Sequence, residues 1–428
     1  MAGRIGMKRV LMIAFQYPPF AGSSGVQRTL KFSRYLPENG WLPTVLSVHP
    51  RAYSERRDDL LGEVPREIAV YRTFGLDAAR HLSIAGRYAA VTALPDRWVS
   101  WCLSAVPAAL RLIRRHAIDV VWSTYPIATA HQIGLTVQRW SKVPWVADFR
   151  DPMFDESHPR DPRQRRAYER IEQRTVQRAA RVVVTTDGTA RLYARRYPDI
   201  DRGHVRCIPN GYDEESFAGL SAVATPSAEG PISLLHSGVL YPLERDPTQL
   251  FAALAELRDE GKIEARRLTV RLRATAHDAI VRSLIEQHGV GDLVAILPAT
   301  AHREALAEMM SAHGLLLIQA ANCNEQIPAK LYEYLRAGRP VLTLADPAGD
   351  TARTMASVGA RHIARLESKD EIKRALLEFI AELAAGKLRA IESDRVAQFS
   401  RRQQSAQLAQ LLDEVDAERR VPAQRASH

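Results

Sequence analysis

Short runs of apolar residues recur along the chain, and longer segments with helical spacing of apolar and polar residues separate them. In the first half, five runs are nearly continuous in aliphatic residues, which is typical of buried parallel strands. They are residues 8–15, 44–48, 119–125, 145–149 and 181–186. Helical segments such as residues 26–38 and 105–116 lie between them. The alternation predicts an α/β fold with a doubly wound parallel sheet.

The pattern restarts after residues 218–231, a stretch rich in Ala, Ser, Thr, Pro and Gly that is typical of a linker. The second set of predicted strands comprises residues 232–238, 268–274, 293–298, 314–320 and 340–345. We therefore predict two Rossmann-like domains, residues 1–215 and 216–390, facing each other across a cleft. A polar, helical tail at residues 391–428 could cross back to the N-terminal domain. Ligands of open α/β sheets bind at the carboxyl ends of the strands, so functional residues are expected in the loops there.

The charge balance favours an anionic partner. The 428 residues include 59 Lys and Arg against 49 Asp and Glu, a net charge of +10. Nucleotides, nucleic acid and an acidic membrane surface all remain candidates on this ground. Residues 160–181 alone hold eight arginines, although a solvated helix face would explain them equally well.

Cysteine usage and hydropathy favour a protein of the cytoplasm that is soluble or peripheral at a membrane. The three cysteines are far apart in the sequence and form no metal-binding or disulfide pattern. No apolar stretch is long enough to span a bilayer. Trp98, Trp101 and the arginines at 111, 114 and 115 flank an apolar stretch that, with the basic residues 160–181, could dock on anionic lipid. Alternatively, these residues are packed in the core.

Residues 324–342, NEQIPAKLYEYLRAGRPVL, combine carboxylates and an ammonium around the start of a predicted helix. Pro328 suits a first helical turn, and Gly338 stops the helix, which predicts a helix over residues 328–337. Lys330 lies in that first turn with Glu333 on the same side, and Glu325 precedes it. The helix start and Lys330 can bind a phosphate, while glutamates accept hydrogen bonds from hydroxyls. The alternative is an ordinary Lys–Glu pair beside an unrelated loop glutamate.

This stretch resembles the donor-site helix of retaining glycosyltransferases of family 4, which have the GT-B fold and carry two glutamates separated by seven residues. The resemblance implies that Glu325 contacts the donor sugar and that Glu333 holds the ribose. It implies donor-side roles for Gln326 and Ile327 as well. Residues 236–247, HSGVLYPLERDP, resemble the first strand and loop of the donor domain. There Gly238 and Arg245 match positions near the diphosphate, to which Lys330 would also contribute.

Stretches of the first half resemble the acceptor-side domain of the same family. Residues 17–25, YPPFAGSSG, resemble its glycine loop, with Gly22 and Gly25. Residues 122–131 and 144–152 resemble later strand ends, and residues 208–213, IPNGYD, resemble its domain junction. A catalytic role for His131 is open, because a helix cap or a packing role is equally compatible. Asp148, Arg150 and Asp151 could line the cleft or form a structural network.

Two departures from the family concern the nucleobase end of the site. Arg273-Ala274-Thr275 stands where the family often has glycine, and Pro298 stands where many members have glycine. The sequence therefore predicts neither the base nor the sugar. The D-x-D at residues 199–201 lies in a polar loop and is interpreted as coincidence. No metal, cofactor or nucleic-acid partner is expected.

The expected function is transfer of a sugar from a UDP- or GDP-linked donor to a hydroxyl of a glycan or a lipid-linked acceptor, with retention and without metal. Bacterial exopolysaccharide or glycolipid synthesis is the expected context. Two alternatives remain open: a nucleotide-sugar epimerase of the same architecture, which needs no acceptor, and a basic binding module without catalysis.

Overall fold

The computed structural model describes residues 6–21, 25–155, 158–201, 203–220, 230–388 and 391–425. The chain divides into two units. The first comprises residues 1–210 and 401–428, and the second comprises residues 211–400. The division thus falls five residues before the predicted one, and residues 391–400 group with the second unit rather than with the tail. Gly22 lies outside the described residues.

The first unit is built on a seven-stranded parallel sheet. Its strands are β1 Lys8–Ile13, β2 Trp41–Val48, β3 Ala69–Thr73, β4 Val120–Thr124, β5 Trp145–Arg150, β6 Arg181–Val184 and β7 Val205–Cys207. The order in the sheet is β3-β2-β1-β4-β5-β6-β7, so the topology reverses between β1 and β4. The helices are α1 Gly25–Tyr35, α2 Ala78–His81, α3 Trp101–His116, α4 Ala128–Ser141, α5 Pro162–Arg178 and α6 Asp187–Arg196.

The second unit has a six-stranded parallel sheet in the order β10-β9-β8-β11-β12-β13. Its helices are α7 Glu214–Phe217, α8 Thr248–Asp259, α9 Asp278–His288, α10 His302–Ser311, α11 Lys330–Ala337, α12 Asp350–Ser357, α13 Lys369–Ala384 and α14 Ser393–Ala397. Its strands are β8 Ile232–Ser237, β9 Leu268–Arg273, β10 Val294–Leu297, β11 Gly314–Ile318, β12 Val341–Leu344 and β13 Ile363–Ala364. The last helix, α15 Arg401–Arg425, belongs to the first unit.

The ten predicted strands all coincide with observed ones, which confirms the predicted α/β class. Three strands were missed: β3, β7 and β13. Each lies at an edge of its sheet and has five residues or fewer. Edge strands bury less of their surface, so their sequences lack the continuous apolar run that reveals a central strand.

Both faces of the first sheet are covered. On one face, Trp101 and Trp145 are fully buried in a cluster with α3 and α4. Trp98 packs against Phe15 with 4.7 Å between ring centroids. Both tryptophans that the sequence suggested as a membrane contact are therefore core residues of this face or packed on it.

The other face is covered by α1 and α15. Leu408, Leu412 and Val415 of α15 are buried in the same cluster as Trp41 and Val10. The Asp413 carboxylate accepts a hydrogen bond of 3.1 Å from Trp41 Nε1. The helical tail is thus an integral part of the core of the first unit. None of the described helices is long and apolar enough to cross a membrane.

Candidate functional site

The loop between β11 and α11 is held from beneath by one buried amide. Gln319 follows β11 directly and is 5% exposed. Its Nε2 donates to the carbonyl oxygens of Cys323 at 2.8 Å and Gln326 at 3.0 Å. The Thr351 hydroxyl donates to Gln319 Oε1 and, at 3.2 Å, to the same Gln326 carbonyl. Residues 320–327 therefore have a defined conformation even though they form almost no regular structure.

Three of the predicted donor-side residues lie in this loop. Glu325 and Ile327 are partly buried, and Gln326 is exposed. Ile327 packs against the apolar cluster that anchors α11, which indicates an anchoring role for its side chain. Asn324, beside Glu325, donates through Nδ2 to Asp346 at 2.6 Å and fixes the loop laterally.

The helix α11 begins at Lys330, two residues later than predicted, so Pro328 precedes the helix rather than opening it. No side chain caps its first turn, and the N–H groups of Leu331 and Tyr332 donate to the carbonyls of Pro328 and Ala329. Gly338 ends the helix with φ 68° and an N–H bond to the Leu335 carbonyl, as predicted. Tyr332, Tyr334 and their apolar neighbours bury the opposite side, so the Lys330–Glu333 side is fixed in orientation.

Lys330 is held by a histidine that the sequence analysis did not single out. His236 is fully buried at the end of β8, and its Nδ1 lies 3.0 Å from the Leu316 carbonyl oxygen. Because that oxygen can only accept, Nδ1 carries the proton and Nε2 accepts from Lys330 Nζ at 2.9 Å. Burial and the adjacent Lys330 charge lower the pKa of His236 well below its ordinary value, so the ring is neutral.

Gly238 provides the space that Lys330 occupies. Its φ is 121°, in the region that favours glycine, and a Cβ there would lie 2.8 Å from Lys330 Nζ. A side chain at this position would displace the ammonium. Gly238 thus lies directly against Lys330.

Arg245 adds a second positive charge. Its Nη1 donates to the Val239 carbonyl at 2.8 Å, and its guanidinium lies 5.1 Å from the centroid of the Tyr241 ring. Burial lowers the pKa of Lys330 well below the ordinary value and the charge of Arg245 lowers it further, while Glu333 acts in the opposite direction. Two cations lie close together at the start of a helix, an arrangement that an anionic ligand would stabilise.

Glu333 is paired with a residue of the neighbouring helix. Its Oε1 lies 3.0 Å from Nε2 of His302, the first residue of α10. Both side chains remain accessible, at 30% for Glu333 and 56% for His302. His302 is a second residue that sequence reasoning missed, because only the fold brings the starts of α10 and α11 together.

The segment after β9, where glycine is frequent in the family, keeps a glycine-like backbone. Ala274 and Ala276 have φ of 57° and 61°, in the left-handed region that alanine rarely adopts. The Leu240 N–H donates to the Thr275 carbonyl at 3.0 Å and ties this segment to the loop after β8. The two alanines therefore adopt a backbone conformation that glycine would adopt more readily.

His131 is a core residue of the first unit, which corrects its assignment as a catalytic candidate. It is fully buried, with its ring centroid 4.5 Å from that of Phe149. Nδ1 lies 2.8 Å from the Ser123 hydroxyl. Burial lowers the pKa of His131 to about 3, so the ring stays neutral and has no surface that a ligand could reach.

Asp148 is also a structural residue, which is the second of the two roles that the sequence left open. It is fully buried and accepts from Arg28 through Nε at 2.8 Å and Nη2 at 3.2 Å. Arg28 in turn donates to the carbonyls of Ile208 and Pro209 at 3.0 and 2.9 Å. The pair fixes the segment that leads out of the first unit and corrects the prediction that Asp148 lines a cleft.

The two remaining first-unit candidates, Gly25 and Asp151, differ in burial, and Gly25 is buried. Asp151 is exposed. Gly25 opens α1 and packs so closely that a Cβ would lie 2.7 Å from the guanidinium nitrogens of Arg150 and 2.2 Å from Gln16 Oε1. Arg150 itself has φ 64°, an uncommon conformation for a residue with a side chain. Gly25 is therefore required by close packing at the start of the helix.

The first unit matches a known family of domains. Residues 24–211 match the family model described as "Glycosyl transferase 4-like domain". No curated protein sequence is significantly similar to the chain.

Solved structures with the same fold cover nearly the whole chain. Sucrose-phosphate synthase from Thermosynechococcus elongatus aligns with a TM-score of 0.69 and 16% identity over 96% of this chain and 100% of its own. HepE from Anabaena, in complex with UDP-glucose, aligns with a TM-score of 0.59 and 13% identity over 99% and 100% of the two chains. The lipopolysaccharide outer core galactosyltransferase WaaB aligns with a TM-score of 0.60 and 10% identity over 94% and 99%. At these identities the likeness establishes the fold of both units.

Proposed function

We propose that the chain is a glycosyltransferase of the GT-B type that transfers a sugar from a nucleoside diphosphate sugar, linked to UDP or GDP, to a hydroxyl acceptor with retention of configuration. The match of residues 24–211 to a glycosyl transferase 4-like domain and the shared fold of both units support this proposal. The acceptor is a glycan or a lipid-linked sugar of bacterial exopolysaccharide or glycolipid synthesis. The enzyme works in the cytoplasm, peripherally at the inner face of the membrane.

The observation that carries the proposal is the pair of cations at the start of α11. Lys330 Nζ packs against Gly238, just after β8, and Arg245 donates to the Val239 carbonyl of the same loop. Burial lowers the pKa of Lys330, and the charge of Arg245 lowers it further. A diphosphate has the charge and size to bind both side chains beside the positive end of the helix. When the bond from sugar to phosphate breaks, negative charge grows on the diphosphate, and these groups stabilise it. The binding of UDP-glucose by HepE, which has the same fold, supports a nucleotide sugar as the donor.

The two glutamates have different roles in this proposal. Glu333, oriented by His302 at 3.0 Å, accepts from the ribose hydroxyls. Glu325, in the loop held by Gln319, accepts from the hydroxyls of the transferred sugar and orients its anomeric carbon. The acceptor attacks from the face that the diphosphate leaves, and the departing phosphate oxygen takes the acceptor proton. That scheme needs no protein nucleophile.

The experiment compares Glu325→Gln and Glu333→Gln by thermal unfolding and by turnover. A ligand at about 100 times its Kd stabilises a protein by about 2.7 kcal/mol, which is several degrees of melting temperature. Glu333→Gln should reduce the shift caused by free nucleoside diphosphate. Glu325→Gln should leave that shift intact and lower turnover of the nucleotide sugar by about a hundredfold.

Glu286→Gln, on the exposed side of α9, is the matched control and should change neither quantity. All three variants should keep the melting temperature of the ligand-free protein. Equal weakening of free nucleotide by both site variants would refute the division of roles. If neither variant affects binding or turnover, α11 is not the donor site. Product formation without an acceptor would instead identify an epimerase.

A further inference from the structure

One segment of the first unit exposes an unusual amount of apolar surface. Residues 74–91, between β3 and α3, include five of the twelve large apolar side chains that are most exposed among the described residues. Their exposed fractions run from 39% for Leu82 to 84% for Ile84. The five are Phe74, Leu82, Ile84, Tyr88 and Val91. Apolar surface concentrated in this way is typical of an interaction site rather than of an ordinary surface.

A basic groove lies between α4 and α5. A cavity of about 420 Å³ has an apolar floor and four arginines along its wall. The floor is formed by Leu94, Pro95, Leu135 and Ile171, and the wall by Arg163, Arg166, Arg170 and Arg174. A second cavity of about 430 Å³ shares Leu135 and Arg174 and adds Arg139 and Arg178. No acidic side chain is among the lining residues of either cavity.

The arginines of α5 that face this groove are not neutralised within the protein. They make no ion pair or side-chain hydrogen bond with any described residue, and all are exposed. This set comprises Arg163, Arg166, Arg170, Arg174 and Arg178. On another side of the same helix, Arg165 does pair with Glu169, at 3.2 Å. These five arginines, the arginine stripe of α5, therefore carry positive charges that only solvent surrounds.

The chain enters the groove just after the apolar segment. Leu94 and Pro95 line the cavity, and the Pro95 carbonyl accepts from Gln164 Nε2 of α5 at 3.1 Å. The next residue, Asp96, is buried and accepts from the Thr129 N–H and hydroxyl of α4, both at 2.7 Å. Val91 thus lies three residues before Leu94, the first lining residue of the groove, and Ile84 belongs to the same connection between β3 and α3.

We propose that the α4–α5 groove and residues 82–91 together dock on the surface of an anionic phospholipid bilayer. Guanidinium groups bind lipid phosphates, and apolar side chains next to them insert between the headgroups. A nucleic acid or a free phosphate would satisfy the arginines but would leave Ile84 and Val91 in water. The inference takes the membrane location from the proposed function, but its test uses neither donor nor acceptor.

The test is co-sedimentation with vesicles of phosphatidylcholine, with and without phosphatidylglycerol, at low salt. The wild-type chain should sediment only with the anionic vesicles. A triple variant, Arg166→Gln with Arg170→Gln and Arg174→Gln, should bind them about a hundredfold more weakly, the scale expected for three arginines at such a surface. Ile84→Ser with Val91→Ser should also weaken binding, although it leaves the charge unchanged.

The matched control changes three exposed arginines of the second unit to glutamine: Arg267, Arg282 and Arg361. It removes the same charge and should bind the vesicles like wild type. Equal loss in both triple variants would show that only net charge matters and would overturn the proposal. So would absence of wild-type binding, displacement by millimolar inorganic phosphate, or tighter binding to a single-stranded oligonucleotide. None of those outcomes would prevent glycosyl transfer to a soluble acceptor. The membrane-docking proposal can therefore be refuted while the glycosyltransferase proposal stands.

Discussion

Lys330 is a positive charge in an environment that disfavours it. Burial and the charge of Arg245 both lower its pKa. The side chain that accepts its hydrogen bond, His236, is neutral. Such an arrangement costs stability in the ligand-free protein, since a charge removed from water lacks full compensation. A bound diphosphate would supply that compensation. We therefore expect the uncompensated charge of Lys330 to destabilise the ligand-free protein and to strengthen its binding of an anion.

His236 should matter through Lys330, as a positioning residue. In His236→Leu the ammonium loses its acceptor, so turnover should fall by about a hundredfold. His236→Gln should retain most activity, because an amide can accept from Lys330 and donate to the Leu316 carbonyl. The hydrogen bond that Lys330 donates to His236 favours the charged form of the lysine. Removing His236 should therefore lower the pKa of Lys330 further.

The pH profile of kcat/KM separates positioning from a purely structural effect. Activity that needs the Lys330 ammonium falls as the pH rises through the lowered pKa. This alkaline limb should begin at lower pH in His236→Leu than in wild type. A smaller kcat with an unchanged limb would argue against the positioning role.

The first-unit residues that the sequence misassigned were chosen on weaker grounds than Glu325 and Glu333, whose donor-site roles stay predictions. Glu325 and Glu333 follow from a motif with a fixed spacing on one loop and helix. His131 and Asp148 were chosen because they stand near strand ends, where ligands bind. Whether a side chain there faces solvent or core depends on tertiary neighbours such as Phe149 and Arg28, which local sequence does not specify.

At the scale of elements, periodicity predicted the central strands and most helices, while boundaries and edges were less predictable. The start of α11 moved by two residues because Pro328 closes the preceding turn through its carbonyl bond to Leu331. The α15 helix was predicted as a tail that could cross back. Its five buried apolar residues show that it completes one face of the first sheet.

The α15 contact predicts a specific loss of stability. Leu412 is fully buried in the cluster with Trp41, so Leu412→Ala should reduce the free energy of unfolding of the first unit by about 2–5 kcal/mol. Leu103→Ala, at a position 81% exposed in the same unit, should cost little. Chemical denaturation followed by fluorescence measures both. Equal effects of the two substitutions would mean that α15 does not support the core.

At the scale of the whole molecule, the excess of positive charge has at least two separate locations. One is the pair of Lys330 and Arg245 in the second unit, and the other is the set of exposed arginines on α5. The net charge of +10 predicted an anionic partner without distinguishing them. The apolar segment that accompanies the stripe could not be recognised from sequence, because exposure of Ile84 or Val91 is a property of the fold.

The distribution of charge also bears on metal dependence. If Arg245, Lys330 and the start of α11 neutralise the diphosphate, turnover should be unchanged in excess EDTA. The measurement is the rate of nucleotide-sugar consumption with chelator, and then with added Mg²⁺ or Mn²⁺. A rate that collapses in EDTA and returns with metal would contradict this assignment of charge stabilisation.

The return of α15 to the first unit has a consequence for how the protein is made. Residues 211–400 form the second unit and are contiguous, so the ribosome delivers that unit complete while the first unit still lacks Leu408 to Val415. Until those residues emerge, the surface around Val10 and Trp41 is uncovered. The first unit therefore cannot bury this apolar surface until nearly the whole chain has been translated. Chaperone binding during synthesis is therefore expected to concentrate on the half of the protein that is made first and finished last.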